Sequence, residues 1–429
     1  MSNRSIGRAA ERWLISSGDE RRLLLCHGGH AASNGAVNVA FAATFMLSTS
    51  DHDAGSLTGF LVFALLPFAL LAPMVGSLSE RFDLGSVRTL RNGYKARIAV
   101  LLALMVALAS GPADVVVYPL TLALLSLQKL HTVTVYSSVP LLHRRRGSLL
   151  DANARVTRMA TAGSLVGAVI GSMAAYTLAG PGAIAIAAAI AAVSMRLVPV
   201  QGFGHHRTDR IAVQTSTPGA VVASGAAFAL VKMAIGALVI VLGSAAASGE
   251  HHGRIIAVAA LVAYTIGGSV GTVVVPRLAQ VVLLPTAMLA AAMLAASTAA
   301  VGALWLPEVL IPTMAAFVGL LGSVAHQHRD HVFQDTVPCH QLRPTFARWD
   351  GAGQVAWVLG AVTSTLGGLL LVDAVRLTGT VALASALVAV ALPQRRHADD
   401  LTFGPVAPSG AIADGIRAHT ALPGVPVAA

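Results

Sequence analysis

The chain is short of charge, of acid and of cysteine, and each shortage excludes something. Charged residues fill 11% of its 429 positions, whereas a soluble domain carries about 25%. A water-soluble globule of this length is therefore excluded. Only 19 residues are Asp or Glu, and all of them can be placed in loops, tails or helix ends, with none deep in an apolar run. Cys26 falls in the first apolar run and Cys339 in a polar gap, so no disulfide framework is expected. No glycine-rich turn leads into Lys-Ser or Lys-Thr, which argues against direct ATP drive. Gly267, Gly268 and Gly271 lie within an apolar run and suit close helix packing. The N-terminus is polar and basic up to Arg22 and then turns into one long apolar run, a pattern without a removable signal peptide. Ten-residue segments of alternating polarity, the mark of a transmembrane barrel, are missing. No catalytic constellation stands at a membrane edge, so an enzyme is not expected, and no cofactor or metal site is implied.

Apolar sequence supplies what is there. Hydrophobic residues make up 55% of the chain, with a mean hydropathy of +0.73. They gather in twelve segments, at 24–47, 57–79, 96–111, 114–140, 152–178, 181–198, 218–247, 254–276, 281–303, 308–326, 351–372 and 376–393. Runs of about 20 residues suit membrane-spanning helices. Twenty-five of the 29 Lys and Arg residues occupy every second gap between these segments, Arg97 and Arg329 being counted among them. The opposite gaps hold only Arg254 and Arg376 beside several acids. Cytoplasmic loops are the ones enriched in Lys and Arg, which puts both termini in the cytoplasm of a cell-membrane protein. These cations are scattered over many short loops, so nucleic acid is not the expected partner.

The expected architecture is all-α, with twelve transmembrane helices in two six-helix bundles. Residues 1–23 form a cytoplasmic segment, 24–198 the first bundle, 199–217 a cytoplasmic linker, 218–393 the second bundle, and 394–429 a disordered tail rich in Pro, Gly and Ala. The halves repeat. Ala154-Arg155 precedes Gly167-Ala168-Val169, and Ala347-Arg348 precedes Gly360-Ala361-Val362, at a common offset of 193 residues. Parallel repeats of six spans are a transporter signature.

Several motifs carry a family resemblance over residues 20–393. The gap after the second segment reads Gly76-Ser77-Leu78-Ser79-Glu80-Arg81-Phe82-Asp83, with Arg88 and Arg91 beyond. It resembles the Gly-x-Leu-x-Asp-Arg-x-Gly-Arg-Arg motif of the major facilitator superfamily, with Glu80 in place of the Asp. Asp151-Ala152-Asn153 followed by Gly163, Gly167 and Gly171 is similar to the fifth segment of drug-exporter-type members. The stretch Phe346-Ala347-Arg348-Trp349 to Gln354-Val355-Ala356-Trp357 resembles an actinobacterial permease group of that superfamily. The resemblance implies two bundles rocking about a central cavity lined by the first, fourth, seventh and tenth helices. It also implies a cytoplasmic latch built from Gly76, Glu80, Arg81, Asp151, Arg155, Arg348 and Asp350. Arg81 would face Asp151 or Asp350, and breaking such pairs would ease the change of state.

Polar residues inside the segments are the candidates for the transport path. Lys129 and Lys232 lie near the middles of the fourth and seventh segments, where a lysine costs about 2.5–3.5 kcal/mol on insertion scales. They should face the protein interior and suit an anionic or zwitterionic cargo. His27, His30, Asn34 and Asn38 are spaced three, four and four apart, so they share one helical face. With no carboxylate deep in a span, a proton-coupled mechanism would have to use a lysine or His27, His30 or His131, and His titrates in the physiological range. His131 is two residues from Lys129 and points to another side. His326, His328, His331, Cys339 and His340 share one gap, with no zinc spacing. The expected protein is a monomeric secondary transporter in a lipid bilayer. It would export a small amphiphilic drug or secondary metabolite, by antiport against protons. An importer of an anionic metabolite and an uncoupled membrane sensor are the alternatives.

Overall fold

The computed structural model describes residues 18–47, 85–110, 114–142, 149–199, 218–247, 251–278, 284–302 and 307–366, with Val381 and Ala384. These fall in one compact unit, Met1–Leu392. The expected second span at 57–79 and the tail from 394 lie outside the described residues, as does the twelfth span at 376–393 apart from Val381 and Ala384. The described elements are all helical: α1 Gly18–Leu47, α2 Gly85–Ala109, α3 Asp114–Leu142, α4 Leu149–Arg196, α5 Pro218–Ala247, α6 His251–Leu278, α7 Leu284–Gly302, α8 Pro307–Thr336 and α9 Cys339–Leu366. Five described segments are long and apolar enough to cross a membrane: Val87–Ala109, Leu149–Leu178, Gly219–Ile240, Ile255–Arg277 and Val309–Thr336. Several of them turn large apolar side chains outward, among them Val106, Val169, Met173, Val262 and Ile266. Lipid would cover such faces.

Four helices outrun their apolar segments. α1 starts at Gly18 rather than at 24, α2 at Gly85 rather than at 96, and α9 at Cys339 rather than at 351, while α8 runs on to Thr336 rather than stopping at 326. All four extensions lie at the end of the bundle from which the arginine-rich gaps hang, here called the basic end. Hydropathy marks the thickness of the hydrocarbon, not the end of a helix. Beyond it the backbone continues with polar side chains, and Asp19 and Glu20 in the first turn of α1 favour the start by opposing the helix dipole.

The fifth and sixth segments form one stretch of helix, α4, with Gly180-Pro181-Gly182 inside it. It is not straight. Gly35 of α1 abuts the Ser164 carbonyl, while Ser33, one turn or less away, donates its hydroxyl to the Ala187 carbonyl at 2.9 Å. A straight helix would hold Ser164 and Ala187 about 34 Å apart. Moreover, Gly163, Gly167 and Gly171 meet Gly28, Ala32 and Ala36 in parallel order, whereas Ser194 meets Gly29 and Ala187 meets Ser33 in antiparallel order. The chain therefore doubles back near Pro181, and α4 serves as two spans.

The repeat is geometric as well as literal. A Cβ at Gly167 would strike the Ala32 carbonyl of α1, and a Cβ at Gly360 would strike the Met233 carbonyl of α5. Each half thus packs its fifth-position helix backbone to backbone on its first, which only small residues permit. The halves, Gly18–Arg196 and Pro218–Leu366, have separate apolar cores. At the basic end Phe333, Leu342, Phe346 and Ala347 of the second half join the first half's core, which includes Val133, Tyr136 and Val139.

Candidate functional site

Two clusters of buried polar side chains occupy the helix interior. The first lies within the N-terminal half. His27 and His30 of α1 and His131 of α3 are all buried. The His30 and His131 rings stack with centroids 3.7 Å apart, and His27 Nδ1 is 3.3 Å from His131 Nε2. Tyr94 of α2 stands edge-on to His30 and His131 and donates its hydroxyl to the Cys26 carbonyl at 2.7 Å. Beside them lies Arg97, 1% exposed. Its Nη2 donates to Asn34 Oδ1 at 2.6 Å and to Ser33 Oγ at 3.2 Å. Nη1 of Arg97 and both ring nitrogens of His30 are buried without a hydrogen-bond partner among the described residues. The sequence grouped Arg97 with the loop cations because the third span was started at 96. With α2 starting at Gly85, the side chain falls inside a spanning segment. Of the predicted polar face on α1, His27 and His30 are buried, Asn34 is half-buried and Asn38 is exposed.

The second cluster joins the halves. Arg329 of α8, 1% exposed, binds Asp330 Oδ1 through Nε and Nη2 at 3.0 and 2.7 Å and Asp350 Oδ1 of α9 through Nη1 at 2.6 Å. Its guanidinium carbon sits 3.9 Å from the centre of the Phe228 ring, a cation–π contact. Lys129 of α3 reaches Asp350 Oδ2 at 3.4 Å from the other half. Lys232 of α5 packs its stem against Gly353 of α9 and holds its ammonium 5.5 Å from the Phe228 centroid. Three cations thus surround two carboxylates. Nearby, His326 Nε2 is 3.2 Å from the Tyr136 hydroxyl. Asn153 and Gln334 pair side chain to side chain at 2.7 and 3.1 Å, Gln334 donates to the Tyr136 carbonyl at 3.0 Å, and Arg343 donates to Ser137 Oγ at 3.3 Å. Apart from Lys129, which lies mid-helix, these inter-half bonds use the C-terminal part of α3 or the start of α4, which places the set toward the basic end.

This arrangement corrects two expectations. Asp330 and Asp350 are buried, at 0% and 8% exposure, so carboxylates do enter the packed interior. They were missed because α8 and α9 continue past their apolar segments. For the same reason His326, His328 and His331 lie on α8 and not in a loop. Among the described residues, no group of three or more His, Cys, Asp or Glu is arranged to hold a metal ion. Only part of the expected latch is described. Gly76, Glu80 and Arg81 lie outside the described residues, so their role is untested. Arg155 pairs with Glu20 of α1 at 3.1 Å, within its own half. Arg348 is exposed and Asp151 half-buried in the first turn of α4. Asp350 does bridge the halves, but through Lys129. A signal for the missed residues existed: His326, Arg329 and Asp330 are three and four apart, one helix face if the helix is allowed to run on. A shallow apolar groove of about 470 Å³, lined by residues such as Met105, Val106, Pro181 and Ala185, includes none of these charges.

No family model matches the chain, and no curated protein does. Solved structures do match. A bacterial homologue of the iron transporter ferroportin, in its outward-facing state, is 14% identical, with a TM-score of 0.59 over 86% of this chain and 97% of that one. FucP, a Major Facilitator Superfamily transporter in its outward conformation, is 12% identical, with a TM-score of 0.63 over 89% and 100%. The human organic anion transporter MFSD10 (TETRAN) is 12% identical, with a TM-score of 0.64 over 86% and 99%. Identities this low establish the fold alone: the chain has the all-helical fold of major facilitator transporters. With its apolar helices, that makes it a multi-pass membrane protein.

Proposed function

We propose that the chain is a secondary active transporter that moves a small molecule across the membrane by alternating access. The observation that carries this reading is the Lys129–Asp350 ion pair, at 3.4 Å, which ties two repeated halves together toward one end. A membrane protein built for stability alone gains little from a buried ion pair of this kind, because desolvation offsets much of the attraction. A pair that must break and reform between two states uses that near-balance. In this reading the basic end faces the cytoplasm, both termini lie there, and the joined state is the outward-facing one. That is the state in which the ferroportin homologue and FucP were captured.

The direction and cargo proposed are export of a small amphiphilic drug or secondary metabolite, exchanged against protons, as the sequence resemblance implies. A second reading, import of an anionic metabolite, is favoured by the excess of cations over carboxylates around Asp350. It is also in keeping with the organic anion transporter among the structural neighbours. The uncoupled-sensor alternative loses its motive, because it rested on an interior without carboxylates.

The test starts from a thermal-stabilisation screen of the purified protein in nanodiscs, using charged amphiphiles and their neutral counterparts, such as benzoate against benzamide. Compounds that bind are then carried into proteoliposome uptake. Lys129→Ala should insert and fold normally yet lose most transport. Unchanged transport by that variant would sink the role of the ion pair. An externally accessible C-terminal tag would overturn the orientation.

A further inference from the structure

We propose that His326 is a proton-binding site that forms when the two halves part, its added proton replacing Lys129 as counter-charge to the α8 and α9 carboxylates. The inference rests on the transporter reading above and names the coupling ion and the side chain that holds it.

Geometry fixes the hydrogens in the joined state. A guanidinium can only donate, and Arg329 Nη2 lies 3.2 Å from His326 Nδ1, so Nδ1 presents its lone pair. The neutral ring then carries its hydrogen on Nε2, which faces the Tyr136 hydroxyl at 3.2 Å. Thr157 donates its own hydroxyl to the Asn153 carbonyl at 3.0 Å, leaving its oxygen to accept from Tyr136 at 3.3 Å. The run Arg329 to His326 to Tyr136 to Thr157 to Asn153 therefore points one way, out of the second half and into the first. A second proton on Nδ1 would set an N–H against the guanidinium and break the run at its origin. Joined halves and a charged His326 exclude each other.

Charge balance says what happens when they part. Around His326 stand Arg329 and Asp330 on its own helix, Asp350 from α9, and Lys232 and the Phe228 ring from α5. From the other half come Tyr136 and Lys129 of α3 and His27 of α1. The three cations and two carboxylates sum to one positive charge. Parting removes Lys129 and Tyr136 together, because both ride on α3, and leaves a cluster with no net charge. Asp350 Oδ2 then loses its lysine and becomes available to Arg329, whose turn toward it releases Nδ1. Asp330 Oδ2, which has no hydrogen bond among the described residues in the joined state and lies 3.4 Å from Nε2, takes over the Nε2 hydrogen that Tyr136 gave up. One proton on Nδ1 restores the single positive charge. Acid therefore favours the parted state and alkali the joined one. His27, His30 and His131 lack this property. They lie within one half, against Arg97, and parting takes no counter-charge from them.

The experiment needs no cargo. Spin labels are placed at Ser110→Cys at the end of α2 and Val309→Cys at the start of α8, both exposed and in different halves. Cys26 and Cys339 are replaced by Ala, and distances are measured by pulsed electron resonance in nanodiscs between pH 5 and 8. The full-length protein should show two distance populations. Their ratio should change with pH, by at most about tenfold per pH unit for one proton. His326→Gln should keep both populations and lose the pH dependence, and His131→Gln should keep the dependence. A full pH response in His326→Gln, or its loss in His131→Gln, would overturn the proposal. Lys129→Ala separates this from the transporter reading. If pH moves nothing but Lys129→Ala shifts the distance, the rocking motion stands and His326 falls. If neither moves the distance, both fall.

Discussion

The two halves share a skeleton and differ in their chemistry. Gly167 against the Ala32 carbonyl and Gly360 against the Met233 carbonyl are the same backbone contact, made twice. The polar interiors built on that contact are unlike. The first half holds three imidazoles and an arginine, Arg97, that hydrogen-bonds only neutral groups, Ser33 and Asn34, among its described bonds. The second holds an arginine, Arg329, gripped by two carboxylates. Packing is common to the two halves, while their buried charges differ. The half with both signs of charge is the one that reaches across to its neighbour.

The comparison can be broken most forcefully at the arginines. Arg329→Leu strands Asp330, leaves Asp350 with Lys129 alone and should cost about 3–5 kcal/mol of unfolding free energy, the usual penalty for removing one side of a buried pair. SDS-titrated unfolding would read it. Next come the glycines. Gly167→Val and Gly360→Val should each cost about 3 kcal/mol, and the two losses should match. A loss confined to one half would refute a shared skeleton. Arg97→Leu should then cost no more than about 1 kcal/mol, since no described carboxylate is left behind and an isolated buried charge is expensive to keep. A loss as large as that of Arg329→Leu would mean that Arg97 has a counter-charge, and the contrast between the halves would collapse. The smallest effect belongs to Asn38→Ala. This exposed residue should change stability by less than about 0.5 kcal/mol, while Asn34→Ala, which removes the 2.6 Å bond to Arg97, should cost more in the same assay.

The fold was largely legible in the sequence and the site only partly. Span counting, the charge sorting and the 193-residue repeat all follow from hydropathy and letter spacing, and the last of these recurs in space at Gly167 and Gly360. The charge sorting nevertheless misfiled Arg97 and Arg329, which are interior residues. It did so for one reason: an apolar window ends where the hydrocarbon does, while α2 and α8 continue beyond it. The error then spread to chemistry, because Asp330 and Asp350 were counted as loop acids. Along the α1 stripe, His27 and His30 are buried, Asn34 is half-buried and Asn38 is exposed, since a shared helical face says nothing about how far along the helix the neighbouring helices extend. His131 was rightly separated from Lys129: one joins the imidazoles and the other crosses to Asp350. Only tertiary placement shows where each of these two side chains goes.

The glycine contact between α1 and α4 has a mechanical meaning. Where two helices meet through long side chains, rotamers act as springs, and a push on one helix is partly absorbed before it reaches the other. Gly163, Gly167 and Gly171 lay backbone on backbone along three successive turns, so there is no spring to compress. The first half is in this sense a stiff beam. A displacement imposed on the start of α4, where Asn153 pairs with Gln334 of the other half, would arrive along α1 nearly undiminished, which is what a small charge event needs if it is to open a path across the whole thickness of a membrane.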